Sequence, residues 1–540
     1  MHDAVAVEAP NSKLSSAAAA HARTPTLAEV SLVIASALLL ILSFPDFDLW
    51  PLAWIGLVPF LVVIGQPLNA LRAAVLGWLW GFVFFCGTCW WLTYPMIHYA
   101  HISAWVAYPL LVVPIALVAL FPALFSLLLS RLVERFGPTA VLVAPLMWVS
   151  CELARYAVTG QLWNAVGYSQ AFHPTLIQSA RWGGVYAVGF LVVATNASLT
   201  LALMRRSVKG TVSPVLVLIL ILSAMAIAIF GGGAPPRSSQ PATLVVAVQP
   251  NVPMEGADDP ASMEQLLNRH LELSTQGLRD ARAETAANRL VIWPESPMNF
   301  SYSRDQHLQD IVSGFARSNH ASVLLNSLEP APNGGGYNSA VMLNEEGRIV
   351  AQYDKIRLMP FGEYVPLPQW LPGASSVRGI VGDFTPGSSY TLMPLGAFRV
   401  GVFICIEAAH PGVARTFAKE GADVLINISN DGYLGPTPVM RQHLANAIFR
   451  AVENDREVIR VTNNGISAQI SSTGALGNST PGFQPAVRTW LVVNRNESMT
   501  FYTQHGDIFV YACALISLGL VSATFMTRRT GTRMSIRRRG

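Results

Sequence analysis

Charge is what this sequence is short of. Asp, Glu, Lys and Arg make up 13% of its 540 residues, against roughly 25% in an ordinary soluble chain. Disordered chains are charge-rich and apolar-poor, so disorder is excluded, and a plain cytosolic protein fits badly. The hydrophobic share is 52% and the mean hydropathy is +0.40. An excess of one sign is lacking too. The net charge is +4, which leaves no broad basic face, and no nucleic-acid partner is expected. Cysteine is sparse. Cys86, Cys89, Cys151, Cys405 and Cys513 form an odd set, four of them in or beside apolar runs, which is not a disulfide framework. The N-terminus is not read as a cleavable signal, because its first apolar run is long enough to stay in a bilayer.

The shortage of charge is uneven. Only 17 of 68 charged residues fall in positions 1–236, and 51 fall in the remaining 304. One part reads as membrane and the other as a water-facing domain. A spanning helix needs about 20 mostly apolar residues. Candidate runs are 27–44, 51–66, 71–95, 104–132, 138–156, 177–204, 213–230 and 507–526. Lys and Arg of short loops mark the cytoplasmic side. With the N-terminus inside, Arg72, Arg131, Arg135, Arg205, Arg206, Lys209 and the tail arginines from Arg528 to Arg539 all fall on that side. The segment between the seventh and eighth spans is then expected outside, which in a two-membrane bacterium is the periplasm. The expected division is a cytoplasmic tail (1–26), a membrane domain of about seven helices (27–232), a periplasmic domain (235–503), an eighth helix (507–526) and a basic cytoplasmic tail (527–540).

A Gly-Gly-Gly-Ala-Pro-Pro stretch at 231–236 reads as a linker. After it, short β-branched runs alternate with helical stretches. Strands are expected at 243–249, 289–293, 322–327, 339–343, 399–405, 424–429, 458–462 and 466–471, and helices near 259–285, 304–318, 411–420 and 436–454. The alternation predicts an α/β domain with a largely buried sheet.

Three reactive residues interrupt apolar context in that domain. Glu295 follows a strand that stops at Pro294, Lys355 follows a hairpin-like Asn-Glu-Glu-Gly turn, and Cys405 ends the run Val-Gly-Val-Phe-Ile-Cys. The C-terminal ends of strands are where α/β sheets place active sites. A thiol is weak at neutral pH and needs a base or a cation nearby. Glu295 is suited to take its proton, and Lys355 to stabilise the thiolate and then an oxyanion. Such a set performs acyl transfer through a thioester. Singly, each residue has a plainer reading: a small core hydrophobe, a turn carboxylate and a solvated lysine.

Together they carry a resemblance. Trp293-Pro294-Glu295, Tyr337-Asn338-Ser339, Lys355 with Phe361-Gly362-Glu363-Tyr364-Val365-Pro366, Cys405-Ile406-Glu407, Asn430-Asp431-Gly432 and Thr462-Asn463-Asn464-Gly465 occur in that order. The set resembles the carbon–nitrogen hydrolase (nitrilase) superfamily, whose triad is Glu, Lys and Cys. Such a domain between seven apolar spans and one more is similar to the apolipoprotein N-acyltransferase family. The resemblance implies a nitrilase-like αββα sandwich inserted in a polytopic membrane domain of about eight helices. It implies ping-pong transfer of an acyl chain from phospholipid, typically the sn-1 chain of phosphatidylethanolamine. The acceptor is the α-amino group of the diacylglyceryl-cysteine at the N-terminus of an apolipoprotein. By position, Cys405 is the nucleophile, Glu295 the general base and Lys355 the oxyanion stabiliser. Glu363 and Glu407 support them, positioning Lys355 or the substrate amine. Tyr364, Asn430 and Tyr433 belong to the substrate side. No metal or cofactor is implied. Ile406 and Tyr433 depart from the aromatic residue and the Trp common at those places.

Other features have weaker claims. Cys86-Gly-Thr-Cys89 reads as packing rather than a redox or metal motif. Glu152 and Arg155, at the end of the fifth span, are expected at the interface, although buried intramembrane charges would be functional candidates. His98 and His101 read as solvated or capping, and Arg441 and His443 as surface or support. The apolar residues of 367–380 suit either a mobile lid or an ordinary packed loop. Two rivals remain: a membrane-tethered amidase with water as acceptor, which shares the triad, and a transporter or sensor, which predicts charged spans that are not present.

Overall fold

The computed structural model describes residues 24–204, 242–255, 259–282, 284, 286–332, 334–365, 384–493 and 499–534. Among them, five helical segments are long and apolar enough to cross a membrane: Ala70–His98, Ala104–Phe136, Pro138–Thr159, Ala180–Met204 and Ile508–Phe525. Leu27–Leu42 and Trp50–Ile64 are shorter apolar helices. These seven fall on seven of the eight expected spans. The other, 213–230, lies outside the described residues, as do the linker at 231–236 and the candidate lid at 367–380.

The helices are α1 (Leu27–Leu42), α2 (Trp50–Ile64), α3 (Ala70–Cys89), α4 (Ala104–Val118), α5 (Leu120–Phe136), α6 (Ala144–Thr159) and α7 (Ala180–Met204). Local signals set their ends. Thr26 and Glu29 form a capping box at the start of α1, Asn69 caps α3, and left-handed Gly160 closes α6. Apolar surface alone does not join helices in lipid, so close packing and shared polar groups do. Ser36 donates to Gly56 O at 2.6 Å and accepts from Trp80 Nε1 at 3.1 Å. Asn196 donates to Ala53 O at 2.8 Å and accepts from Leu57 N at 2.9 Å.

The remaining chain builds two sheets. Strands are β1 (Ala242–Gln249), β2 (Asn288–Ile292), β3 (Ser322–Pro330), β4 (Gly336–Leu343), β5 (Ile349–Asp354), β6 (Leu392–Leu395), β7 (Phe398–Ile404), β8 (Val424–Ser429), β9 (Glu457–Thr462), β10 (Ala468–Ile470) and β11 (Ala486–Val493). One sheet runs β11-β1-β2-β3-β4-β5 and the other β10-β9-β8-β7-β6. β1, β2 and β3 pair in parallel, as do β7, β8 and β9. Alternation along β1 separates two cores. Val245 and Ala247 face the second sheet, together with Val402 and Ile404. Val246 and Val248 face α8 (Pro260–Asp280) and α9 (Gln306–Asn319), with Leu266, Leu308 and Val312. On the far side of the second sheet lie α10 (Pro411–Lys419) and α11 (Val439–Asn454). The result is the expected αββα sandwich. A last helix, α12 (Ile508–Met534), rejoins the bundle against α6.

Helix α11 joins the two parts. It is buried between the second sheet and the membrane helices, with no exposed residue along its length. The ends of helices that meet the sandwich alternate along the chain. Asp48 pairs with Arg441, Trp91 and Trp163 with Gln442, and Arg181 with Asp455. The other ends, at Arg72, which pairs with Glu29, and at Arg135, are remote from these contacts. At α7 the chain kinks at Gly183 and Gly184, where Gly184 takes φ +64°. The kink frees the Val185 N–H to donate to Glu453 at 3.1 Å.

Candidate active site

The two sheets bring their reactive residues to one end. Glu295 follows β2, Lys355 follows β5 directly, Cys405 follows β7 directly, and Asn430 follows β8. Cys405 adopts φ +53° at the turn from strand to a single 3-10 turn, Cys405–Ala409. A non-glycine residue pays for that conformation, and its carbonyl is held in place by His443 Nε2, which donates at 2.9 Å.

Glu295 is fixed by donors on both of its oxygens. Asn338 Nδ2 donates to Oε1 at 2.8 Å and the Asn430 N–H to Oε2 at 3.0 Å. Lys355 Nζ lies 3.5 Å from Glu295 Oε1 and donates to Glu363 Oε1 at 2.8 Å. Asn338 reaches Glu363 as well, at 2.7 Å, and the Met359 N–H donates to the other Glu363 oxygen at 2.7 Å. Lys355 is buried, with 1% exposure. Desolvation works against its charge, but Glu363 and Glu295 outweigh it and hold its ammonium well above the ordinary lysine range. The lysine is therefore a fixed cation in a dry site. Burial, reinforced by Glu295, pushes the Cys405 thiol far above its usual value, with Lys355 opposing. The proton thus stays on sulfur until a base removes it during attack.

Glu407 does not line the cavity. It is fully buried and accepts from Tyr353 OH at 2.8 Å and from the N–H groups of Ile356 at 2.9 Å, Arg357 at 3.0 Å and Ile404 at 2.7 Å. It ties the segment after Lys355 to the strand before Cys405. Tyr364 is exposed and absent from the cavity wall, whereas Asn430 and Tyr433 line it. Tyr433 stacks on Tyr99 from the membrane domain, with ring centres 5.7 Å apart.

Behind Cys405 lies a buried network that sequence reasoning had no means to assemble. Asp431 accepts from Arg460 Nη2 at 2.8 Å and contacts His443 Nδ1 at 2.9 Å. Burial alone would raise the Asp431 carboxyl, but Arg460 and His443 hold it well below the ordinary range. Asp431 and Asn463 were visible as parts of motifs, and His443 only as a helix residue.

The cavity at this site measures about 720 Å³. Glu295, Lys355, Glu363 and Cys405 line it together with Phe85, Leu92, Ile115 and Val118 from α3, α4 and the segment between them. Cys89 belongs to this wall, where Asn164 Nδ2 donates to its sulfur at 3.4 Å. Among the described residues no group of His, Cys, Asp or Glu is arranged to hold a metal ion. The site can form and resolve a thioester beside an apolar chamber.

The sequence has relatives that fit this geometry. The family model of the apolipoprotein N-acyltransferase N-terminal domain matches residues 36–198, and that of the carbon-nitrogen hydrolases matches residues 244–480. An apolipoprotein N-acyltransferase of Geobacter metallireducens is 31% identical over 92% of this chain and 95% of its own. Those of Allorhizobium ampelinum and Pseudomonas putida are 31% and 29% identical over 75% and 90% of this chain, and 77% and 95% of their own. The chain belongs to the apolipoprotein N-acyltransferase family.

Proposed function

We propose that this chain moves a fatty acyl chain from a membrane phospholipid to the α-amino group of a diacylglyceryl-cysteine at the N-terminus of apolipoproteins. The observation that carries the reading is the single cavity, whose wall holds Glu295, Lys355 and Cys405 together with membrane-helix side chains. A soluble amide needs no apolar chamber opening among spanning helices. A lipid ester does.

The reaction has two halves. Cys405 Sγ attacks the ester carbonyl as Glu295 takes the thiol proton, and Lys355 stabilises the oxyanion. The tetrahedral adduct collapses with loss of the lysophospholipid alkoxide, which regains the proton from Glu295, and a thioester remains. The acceptor amine then attacks that thioester. Glu295 removes its proton, Cys405 leaves as the thiol, and an amide is formed. Asn338 and the Asn430 N–H keep Glu295 aimed, and Glu363 keeps Lys355 charged. Exclusion of water by the apolar wall favours the amine over hydrolysis.

The finer reading takes its donor from the family resemblance and its topology from the charge pattern. The donor is phosphatidylethanolamine through its sn-1 chain. The chain is a multi-pass protein of a bacterial inner membrane, with residues 235–503 in the periplasm and both termini in the cytoplasm. What supports this is the alternation of loop arginines, since the ends remote from the sandwich are those with Arg72 and Arg135.

Intact-protein mass spectrometry tests the proposal. Wild-type enzyme incubated with phosphatidylethanolamine gains the mass of one acyl chain, which hydroxylamine removes, and Cys405→Ala gains none. Absence of the gain in wild-type protein that acylates an acceptor peptide overturns the thioester route.

A further inference from the structure

The mechanism leaves unused a buried cation in the cavity wall. Arg155 lies one turn before the end of α6 and is only 6% exposed, not at the interface where the sequence put it. Its Nη1 donates to Trp163 O at 2.8 Å, and its guanidinium carbon stands 5.5 Å from the centre of the Phe85 ring. Among the described residues it makes no other hydrogen bond and no ion pair, so the Nε and Nη2 side of the fork is unspent. Glu152, one turn earlier, does not neutralise it by contact. Its Oε1 accepts from Trp148 Nε1 at 3.0 Å and Val166 N at 2.9 Å, and its Oε2 is buried without a partner.

A buried charge without a partner is costly to a fold. Arg155 lines the same cavity as Cys405, where a ligand can supply that partner. The planar fork of a guanidinium matches two oxygens of a phosphate. Beside it stands Phe85, and the same cavity wall includes Leu92, Ile115 and Val118, which suit acyl chains. A cation whose fork is half free, in a wall that also holds apolar side chains, fits an amphiphile whose anion sits close to its chains.

We infer that Arg155 binds the phosphodiester of the acyl donor. The inference rests on the acyltransferase reading and adds a division of labour. The cavity presents Arg155 from a membrane helix, and from the sandwich the carboxylates Glu295 and Glu363 with Lys355 between them. The donor's anion is drawn to the first and the acceptor's amine to the second. Arg155 therefore serves formation of the thioester and not its transfer to the amine.

The test uses full-length wild type, Arg155→Gln and Arg155→Lys in lipid nanodiscs. Each is given phosphatidylethanolamine or a diacylglycerol with the same chains, which lacks the phosphate, and acyl mass on Cys405 is followed with time. Charge-assisted hydrogen bonds imply a roughly 10- to 100-fold loss of acylation from the phospholipid in Arg155→Gln, seen as a higher half-saturating donor concentration. Loss from diacylglycerol is smaller, so the ratio of the two donors falls at least about tenfold. Arg155→Lys restores part of that ratio, and it carries the test alone should Arg155→Gln not fold. Transfer from preformed acyl-enzyme to an acceptor peptide keeps its wild-type rate. Equal losses with both donors would mean that Arg155 only holds the Trp163 loop, and would overturn the inference. So would inhibition by millimolar inorganic phosphate that vanishes in Arg155→Gln but is not relieved by raising the phospholipid concentration, which assigns the site to free anions. Wild type that takes acyl chains from neither donor sinks the acyltransferase reading itself, a different failure from equal losses.

Discussion

The sandwich has two outer helix layers, and they live in different solvents. Helix α8 covers the six-stranded sheet and meets water. Its Leu266, Leu267 and Leu278 are buried while Glu264, Glu272 and Arg279 are exposed. Helix α11 covers the five-stranded sheet and meets the membrane bundle. It is the more apolar of the two in composition, but it also carries Gln442, His443, Asn446, Arg450, Glu453 and Asn454, and every one of those is buried. The difference lies in where the polar atoms are spent. Gln442 Oε1 accepts from Trp163 Nε1 at 2.8 Å and Trp91 Nε1 at 3.2 Å, and its Nε2 donates to Thr88 O at 3.1 Å. Arg450 donates to Ala408 O at 3.1 Å, Tyr168 OH at 3.3 Å and Glu453 at 2.8 Å. His443, on the same helix, holds the carbonyl of the nucleophile. The docking layer thus ties the membrane loops to the catalytic elbow, and the water-facing layer only covers a sheet.

The sharpest way to break that contrast is at Arg450. Arg450→Met leaves the Glu453 carboxylate buried with Val185 N as its remaining donor. Removing one partner of a buried pair costs about 3–5 kcal/mol. Thermal unfolding in detergent should show a drop of several degrees or more, with acyl transfer falling in parallel, and Arg450→Met/Glu453→Gln should recover part of the loss. Unchanged unfolding in Arg450→Met would mean that the docking layer does not depend on its polar contacts.

A middle-sized effect sharpens the contrast through pH. His270 lies on the buried face of α8, its ring centre 5.0 Å from that of Trp293, with Nδ1 donating to Leu266 O at 2.7 Å and Nε2 without a partner. Burial pushes its pKa down to about 4. An unfolded histidine takes its proton near pH 6.5, and the folded one resists until about 4. The stability it contributes is complete above 6.5 and is lost as pH falls, by about 2 kcal/mol at pH 5. His270→Gln should flatten the fall in unfolding temperature between pH 7 and 5. It will not abolish it, because His410 in the docking layer is pushed down to about 3 by burial. A profile unchanged by His270→Gln would show that the ring is not kept neutral by its layer.

The same contrast explains what the sequence disclosed. Runs of apolar residues give away spans and buried parallel strands, because neither environment has water to reward anything else. β5, β6 and β11 escaped notice because they are edge or half-exposed strands with mixed residues such as Arg488 and Thr489. Glu295, Lys355 and Cys405 were legible as reactive groups breaking apolar context, and the structure gathers them in one cavity wall. Asn338 showed only as part of a string. The burial of His443, whose supporting role was one of two readings, and of Arg155 was hidden for a common reason. Each sits where a helix reads as meeting water, and only the docking of one part on the other replaces that water with protein or cavity. The role of Arg460, held between Asn427 and Asp431, was illegible because its partners come from β8 and the loop beyond it.

The smallest effect is the control on which the comparison rests. Glu272 and Glu453 are the same residue type, each on a helix that covers a sheet. Glu272 is exposed and, among the described residues, makes no hydrogen bond or ion pair through its side chain, so its removal leaves no buried donor or acceptor behind. Glu272→Ala should therefore change stability by less than about 0.5 kcal/mol, and alanine's better helix propensity offsets part of even that. Glu453→Ala strands the Arg450 guanidinium and the Val185 N–H inside the interface, which places it with the large effects. Parallel melts of the two variants read the ratio directly. A loss above about 1 kcal/mol at Glu272, outside the usual range for surface substitutions, would show that α8 is not simply a water-facing cover. The two layers would then differ in partner rather than in solvent.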